Sequence, residues 1–210
     1  MTHPHLTEFR RKQVRENKDF LSDKLFLEFG IFEGHSILEY YNAYVENEIQ
    51  PFFFGFDSFQ GLPEEKVDQY SPWTIGEFST HGFVNIKLLN KDGLHLIPGW
   101  FHETLNQETF KKFNGKKVGL VHIDCDTYTS TLEVLEFLIQ YDLMTDGTLI
   151  VYDDWGAWKI ANLDESQKFD VSEAKAHKEI CEKYNLTFEL VSTEVIDPAS
   201  HYVTTFRYKY

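Results

Sequence analysis

The chain has 210 residues, 42% hydrophobic and 16% aromatic, and carries a formal net charge of −14. That length suits one sizeable core and is short for two domains, and so aromatic a composition excludes a disordered chain. The acidic balance argues against a nucleic-acid partner, because phosphate backbones are bound through Lys and Arg, and favours a neutral or cationic small molecule.

No apolar run reaches membrane-spanning length, and the N-terminus has no signal-peptide core. Cys125 and Cys181 show neither metal nor redox spacing. A reducing compartment follows, with the cytoplasm as the expected location and no membrane partner.

Residues 1–24 are polar and charged, with Leu6, Phe9, Val14, Phe20 and Leu21 as the main apolar positions. They predict a helical segment lying against the body; a substrate-covering arm is the alternative. Leu25 to Ile31 reads as a central strand, and Ile37, Tyr40, Tyr41, Tyr44 and Val45 give a helical stripe behind it. The turn between them carries Glu28, Gly30 and Gly34. Glycine there permits close approach of backbone to a ligand. The dinucleotide fingerprint is not met, since Ile31-Phe32 stands where its middle glycine belongs.

Gln50 to Phe59 is the next predicted strand, with Asp57 at its end, where doubly wound folds commonly hold ribose hydroxyls. A solvated strand-end aspartate is the plainer reading. Gln60 to Thr80, with Gly61, Pro63, Pro72 and Gly76, is longer than ordinary connections and suits a lid or binding loop bearing Trp73 and Phe78. A short helix over Phe83 to Leu89, a strand over Leu94 to Pro98 and an amphipathic helix ending at Phe113 follow. His102 and His122 are the histidines placed near the site.

The stretch from Lys116 to Trp155 reads as strand, loop, helix, turn and strand. Val118 to Ile123 is a buried strand, with Asp124 and Asp126 at its carboxyl end. Ser130 to Glu133 has capping-box spacing, and Thr148 to Tyr152 is a second strand ending in Asp153-Asp154. A crossover unit this short makes the strands parallel, so all four carboxylates emerge at the ligand-binding edge of one sheet. Crowded carboxylates resist ionisation unless a cation compensates, and such oxygen donors suit Mg²⁺, Ca²⁺ or Mn²⁺. The plain alternative makes Asp126 a helix cap and Asp153-Asp154 the start of a turn. A helix over Ser166 to Tyr184 and strands over Thr187 to Val195 and Tyr202 to Tyr210 complete the chain. The five-residue link 196–200 between those strands implies an antiparallel hairpin.

The pattern predicts a single α/β domain over 1–210. Its Rossmann-like, doubly wound sheet has about seven mostly parallel strands and an antiparallel C-terminal hairpin. It resembles the fold of class I S-adenosylmethionine-dependent methyltransferases. The motifs LEFGIFEGHS, FDSFQGLPE, PGWFHETL, HIDCDTYTST and GTLIVYDDW, in that order, resemble those of the macrocin O-methyltransferase family. That resemblance implies a metal-dependent O-methyltransferase acting on a hydroxyl of a sugar or other diol-bearing small molecule. It assigns Glu28, Gly30 and Gly34 to the cofactor turn, and Asp57 with Ser58 to the ribose of S-adenosylmethionine. Asp124, Asp153 and Asp154 become ligands of a divalent ion, usually Mg²⁺, and Asp126 the general base.

Family members usually carry a longer N-terminal segment, through which they often assemble into homo-oligomers; here about two dozen residues precede the first strand. Two other classes stay open: a nucleotide-dependent oxidoreductase and a non-catalytic cofactor-binding module. The acidic edge disfavours a pyrophosphate, and retention of all four carboxylates disfavours loss of turnover.

Overall fold

A computed structural model describes residues 4–197 and 201–210, apart from the side chains of Ile86 and Leu89. The strands are β1 (Leu25–Phe29), β2 (Phe53–Asp57), β3 (Leu94–Pro98), β4 (Val118–Ile123), β5 (Leu149–Tyr152), β6 (Thr187–Asp197) and β7 (His201–Lys209). They form one sheet in the order β3-β2-β1-β4-β5-β7-β6. Strands β1 to β5 pair in parallel, and β7 runs antiparallel to both β5 and β6. The predicted architecture is therefore the one observed.

The helices are α1 (Pro4–Glu16), α2 (Lys18–Leu21), α3 (His35–Glu46), α4 (Ile86–Leu89), α5 (Phe101–Thr104), α6 (Gln107–Lys112), α7 (Tyr128–Gln140), α8 (Ala157–Ile160) and α9 (Ser172–Tyr184). Alternation along the central strands divides their side chains between two cores. Phe26, Leu120 and Val151 pack with α1 and α3, and Leu27, Val121 and Ile150 pack with α7 and α9. No helix among the described residues is long and apolar enough to cross a membrane.

The sheet reverses its direction of growth between β1 and β4, and a crevice opens above such a switch point. Gly30, at the end of β1, has φ +87°, and a Cβ built there would stand 1.7 Å from the carbonyl oxygen of Asp124. Only glycine lets the two turns meet. That contact joins the glycine turn to the acidic loop.

Several boundaries differ from expectation, and capping explains most of them. Helix α7 starts before the Ser130 capping box, because Thr127 accepts the Ser130 N–H and takes the cap. The helix expected to end at Phe113 is two pieces: Asn106 accepts from the Glu108 and Thr109 amides and starts α6 afresh. The short helix over Phe83 to Leu89 shrinks to α4, capped by Asn85. The helix expected from Ser166 is a 3₁₀ turn at Glu165–Gln167 followed by α9. Between them the chain bends to bury Val171 and to set Phe169 edge-on against Trp155. In the predicted link 196–200, positions 198–200 lie outside the described residues, as do 1–3 of the N-terminal segment.

Candidate active site

A cavity of about 560 Å³ lies over the carboxyl ends of β1, β2, β4 and β5. Gly30, Asp57, Ser58, Asp124, Asp126, Asp153 and Asp154 all line it, so seven of the nine predicted site residues share one space. Glu28 and Gly34 are not among its lining residues. Gly34 instead begins α3 at φ +78°, where a Cβ would strike Leu88.

Glu28 is fully buried within β1, in register with His122 of β4. Its carboxylate accepts from Ser36 Oγ at 2.5 Å and lies 3.4 Å from His122 Nδ1. Glu28 therefore stands behind the cavity beside His122, and its Oε2 makes no hydrogen bond.

On the glycine-turn side, Asp57 is well supplied with donors. Its Oδ2 accepts the amides of Ile31 and Phe32, both at 2.7 Å, and its Oδ1 accepts that of Phe59 at 2.6 Å. An ionised carboxylate offers about four acceptor positions, so one remains for a ligand hydroxyl. Ser58 Oγ is partly committed to the chain as well, donating to the Gly61 carbonyl and accepting from Gln60 N–H. Trp73 and Phe78 line the cavity from the long loop and meet edge to face at 5.9 Å. The indole N–H of Trp73 is buried and unpaired.

The acidic side is built differently. Asp153 is gripped on both oxygens: Oδ1 lies 3.3 Å from His122 Nε2 and 3.6 Å from Arg10 Nη2, and Oδ2 lies 2.9 Å from His201 Nε2. Burial opposes its charge, but His122, His201 and Arg10 together hold it well below the usual carboxylate range. His122 responds in kind. Burial opposes its charge too, yet Glu28 and Asp153 raise it to about 10. Nε2 bonds Asp153, whereas Nδ1 makes no hydrogen bond. The plain expectation of a hydrogen-bonded core histidine is met.

For the other carboxyls the relief that His122 gives Asp124 and His201 gives Asp154 is outweighed. Asp124, Asp126 and Asp154 are pushed well above the usual range, by burial first and then by one another. Asp126 and Asp154 lie within hydrogen-bond reach of each other, which requires a shared proton or an added cation. A fifth buried carboxyl, Glu173 at the start of α9, accepts from Asp154 N–H at 2.9 Å and is pushed up likewise.

Ligand atoms of His122, Asp124 and Asp153 lie within 4.8 Å of one another. His122 Nε2 lies 3.3 Å from Asp153 Oδ1, which suits a partner that orients that carboxylate from behind. What remains is a set of hard carboxylate oxygens short of positive charge, and that set fits a divalent cation such as Mg²⁺.

Three contributors escaped the sequence reading. Arg10 occupies the buried stripe of α1 with Leu6, Phe9, Gln13 and Val14, and pairs with Glu39 at 2.6 Å. A basic residue at an inward position of an amphipathic helix was a usable signal. His201 had none, because the hairpin alone brings it to Asp153. Glu173 had none either.

A family model described as Macrocin-O-methyltransferase (TylF) matches residues 23–180. A search of curated proteins gave no match. Among solved structures, the O-methyltransferase NovP is similar at TM-score 0.70 and 18% identity, covering 97% of this chain and 79% of that one. An O-methyltransferase from Bacillus cereus in complex with SAH is similar at TM-score 0.59 and 13% identity, covering 100% and 83%. CalS11, a TDP-rhamnose 3'-O-methyltransferase of calicheamicin biosynthesis, is similar at TM-score 0.57 and 18% identity, covering 96% and 81%. At these identities the solved structures speak for the fold.

Proposed function

The chain belongs to the macrocin O-methyltransferase (TylF) family, and from that premise we propose a metal-dependent methyl transfer to a sugar-like vicinal diol. It is an S-adenosylmethionine-dependent O-methyltransferase, which sets aside the oxidoreductase and the non-catalytic module. The observation that carries the finer reading is the continuity of the cavity, from Gly30 and Asp57 to the crowded Asp124, Asp126 and Asp154. A cofactor at one end and a diol at the other would place methyl donor and acceptor in one line, and positioning is the main demand of such a displacement.

Asp57 would hold one ribose hydroxyl with its remaining acceptor position, and Ser58 would border the same group. Gly30 would let the cofactor approach the backbone. Asp124, Asp153 and Asp154 would hold the ion, Asp153 being oriented from behind by His122, His201 and Arg10. An ion there would supply the positive charge that lets the carboxyls ionise and favours the alkoxide of a bound diol. As the acceptor oxygen bonds to the methyl carbon, the carbon–sulfur bond breaks and its electron pair stays on sulfur as a thioether. The hydroxyl proton passes to Asp126. The sugar-like class is supported by the acceptor in the description of CalS11.

The test combines calorimetry with turnover. S-adenosylmethionine should bind without added metal, and methyl transfer to a panel of sugar nucleotides and glycosides should stop in EDTA and return with Mg²⁺. Saturating Mg²⁺, at about 100 times its Kd, should also stabilise the fold by about 2.7 kcal/mol. Full turnover in excess EDTA would remove the ion from the mechanism.

A further inference from the structure

The long loop expected to act as a lid is closed and pinned. Leu62 N–H donates to the Glu77 carbonyl and Gly76 N–H to the Leu62 carbonyl, each at 2.9 Å, sealing its base. Two acidic side chains then dock its body on two helix starts. Glu65 accepts from the N–H and hydroxyl of Thr129 in α7, at 2.8 and 2.9 Å. Asp68, only 4% exposed, accepts from Ser172 N–H at the start of α9, at 2.7 Å.

The same two residues that begin α9 support the acidic loops. Ser172 Oγ donates to the carbonyl oxygen of Asp126, and Glu173 accepts the N–H of Asp154. Asp126 has φ +63° and Ser172 has φ +53°, left-handed conformations that non-glycine residues adopt only when neighbours hold them. Asp68, Ser172 and the Asp126 carbonyl thus form one line of contacts from the loop to the backbone of the proposed base.

We propose that Asp68 is a positioning residue for methyl transfer: by holding Ser172 it fixes the backbone of Asp126, so that docking the loop and aligning the base are one event. The inference rests on the reading of Asp126 as the base. Its geometric half, the coupling of loop to acidic turn, does not require that reading.

The test uses Asp68→Ala, Asp68→Asn and Ser172→Ala in the full chain. Asp68→Ala should lower kcat on the order of 10- to 100-fold, the scale of a displaced catalytic group, with the Kd for S-adenosylmethionine unchanged. Asp68→Asn keeps an acceptor for Ser172 N–H and should restore most of the rate. Ser172→Ala keeps that N–H but loses the hydroxyl, so it should lower kcat while the loop stays docked.

Amide hydrogen exchange reads the same coupling without turnover. In Asp68→Ala it should quicken both in the loop and at 125–131, and in Ser172→Ala only at 125–131. A loop that loosens in Asp68→Ala while 125–131 and kcat stay as in wild type would overturn the proposal. If the wild type fails to bind S-adenosylmethionine, the functional reading falls and the exchange data still decide the coupling.

Discussion

The two ends of the cavity handle negative charge in opposite ways. At the glycine turn, a single carboxylate, Asp57, meets three backbone donors. At the β4–β5 edge, Asp124, Asp126 and Asp154 crowd together, and among the described residues no hydrogen bond reaches the Asp124 carboxylate. The first end has its donors in place, with one acceptor position left for a ligand hydroxyl. The second is incomplete by design of its chemistry: it holds acceptors in surplus, and a cation or a donor-rich substrate resolves the surplus. Asp153 marks the border, since it belongs to the acidic edge yet is neutralised from behind the sheet.

The largest expected effect breaks the acidic end alone. Asp126→Asn keeps the shape of the carboxyl but cannot accept a proton, so turnover should fall about 10²–10⁴-fold. Affinity for metal and cofactor, measured by calorimetry, should remain. Rescue of the variant by high Mg²⁺ would instead make Asp126 a ligand and erase the division of labour within the cluster.

A smaller effect breaks the glycine-turn end. Asp57→Ala removes the ribose contact and also releases the Ile31 and Phe32 amides. The loss in cofactor binding should be about 1.5–3 kcal/mol, or more, and thermal stability should drop as well. Asp57→Asn sharpens the comparison, because one retained oxygen can still accept the turn amides. A variant that binds S-adenosylmethionine as wild type does would free Asp57 from the ribose.

The smallest effect separates the histidine in the site, whose pKa is raised, from one behind it, whose pKa is lowered. His177, bonded through Nδ1 to Tyr152 Oη at 3.0 Å, is lowered to about 4 by burial. Between its unfolded value of 6.5 and that value the unfolded chain binds more protons, so stability is lost as the pH is lowered. From pH 6.5 to 5 this costs about 1.6 kcal/mol. The raised carboxyls act with the opposite sign in the absence of metal, gaining stability as pH falls. Denaturant unfolding of wild type and His177→Gln across this range isolates the histidine: the wild type should show the steeper acid loss. Parallel curves would mean that His177 is charged or solvated in the folded state.

Much of this was readable before any coordinates, because the informative residues sit at ends of locally patterned elements. The strands Val118–Ile123 and Leu94–Pro98 were bounded correctly by apolar runs between turn residues. The aspartates followed from those ends. What was unreadable depends on contacts between distant segments: Asp68 with Ser172 across 104 residues, His201 with Asp153 across 48. The neighbour of Glu28 was unreadable for a related reason: register sets it beside His122, a fact that only strand pairing determines.

The sealed base of the long loop carries a consequence for engineering. Residues 62–76 form a cartridge whose ends meet, whose two docking carboxylates point inward, and whose Val67 and Ile75 face solvent at 62% and 71% exposure. The glycine turn and the acidic edge cannot be varied separately, since Gly30 touches Asp124 without room for one carbon. Any exchange of the cartridge must therefore be made whole, with Glu65, Asp68 and the Leu62–Glu77 closure kept, if the acidic turn beneath it is to stay in place.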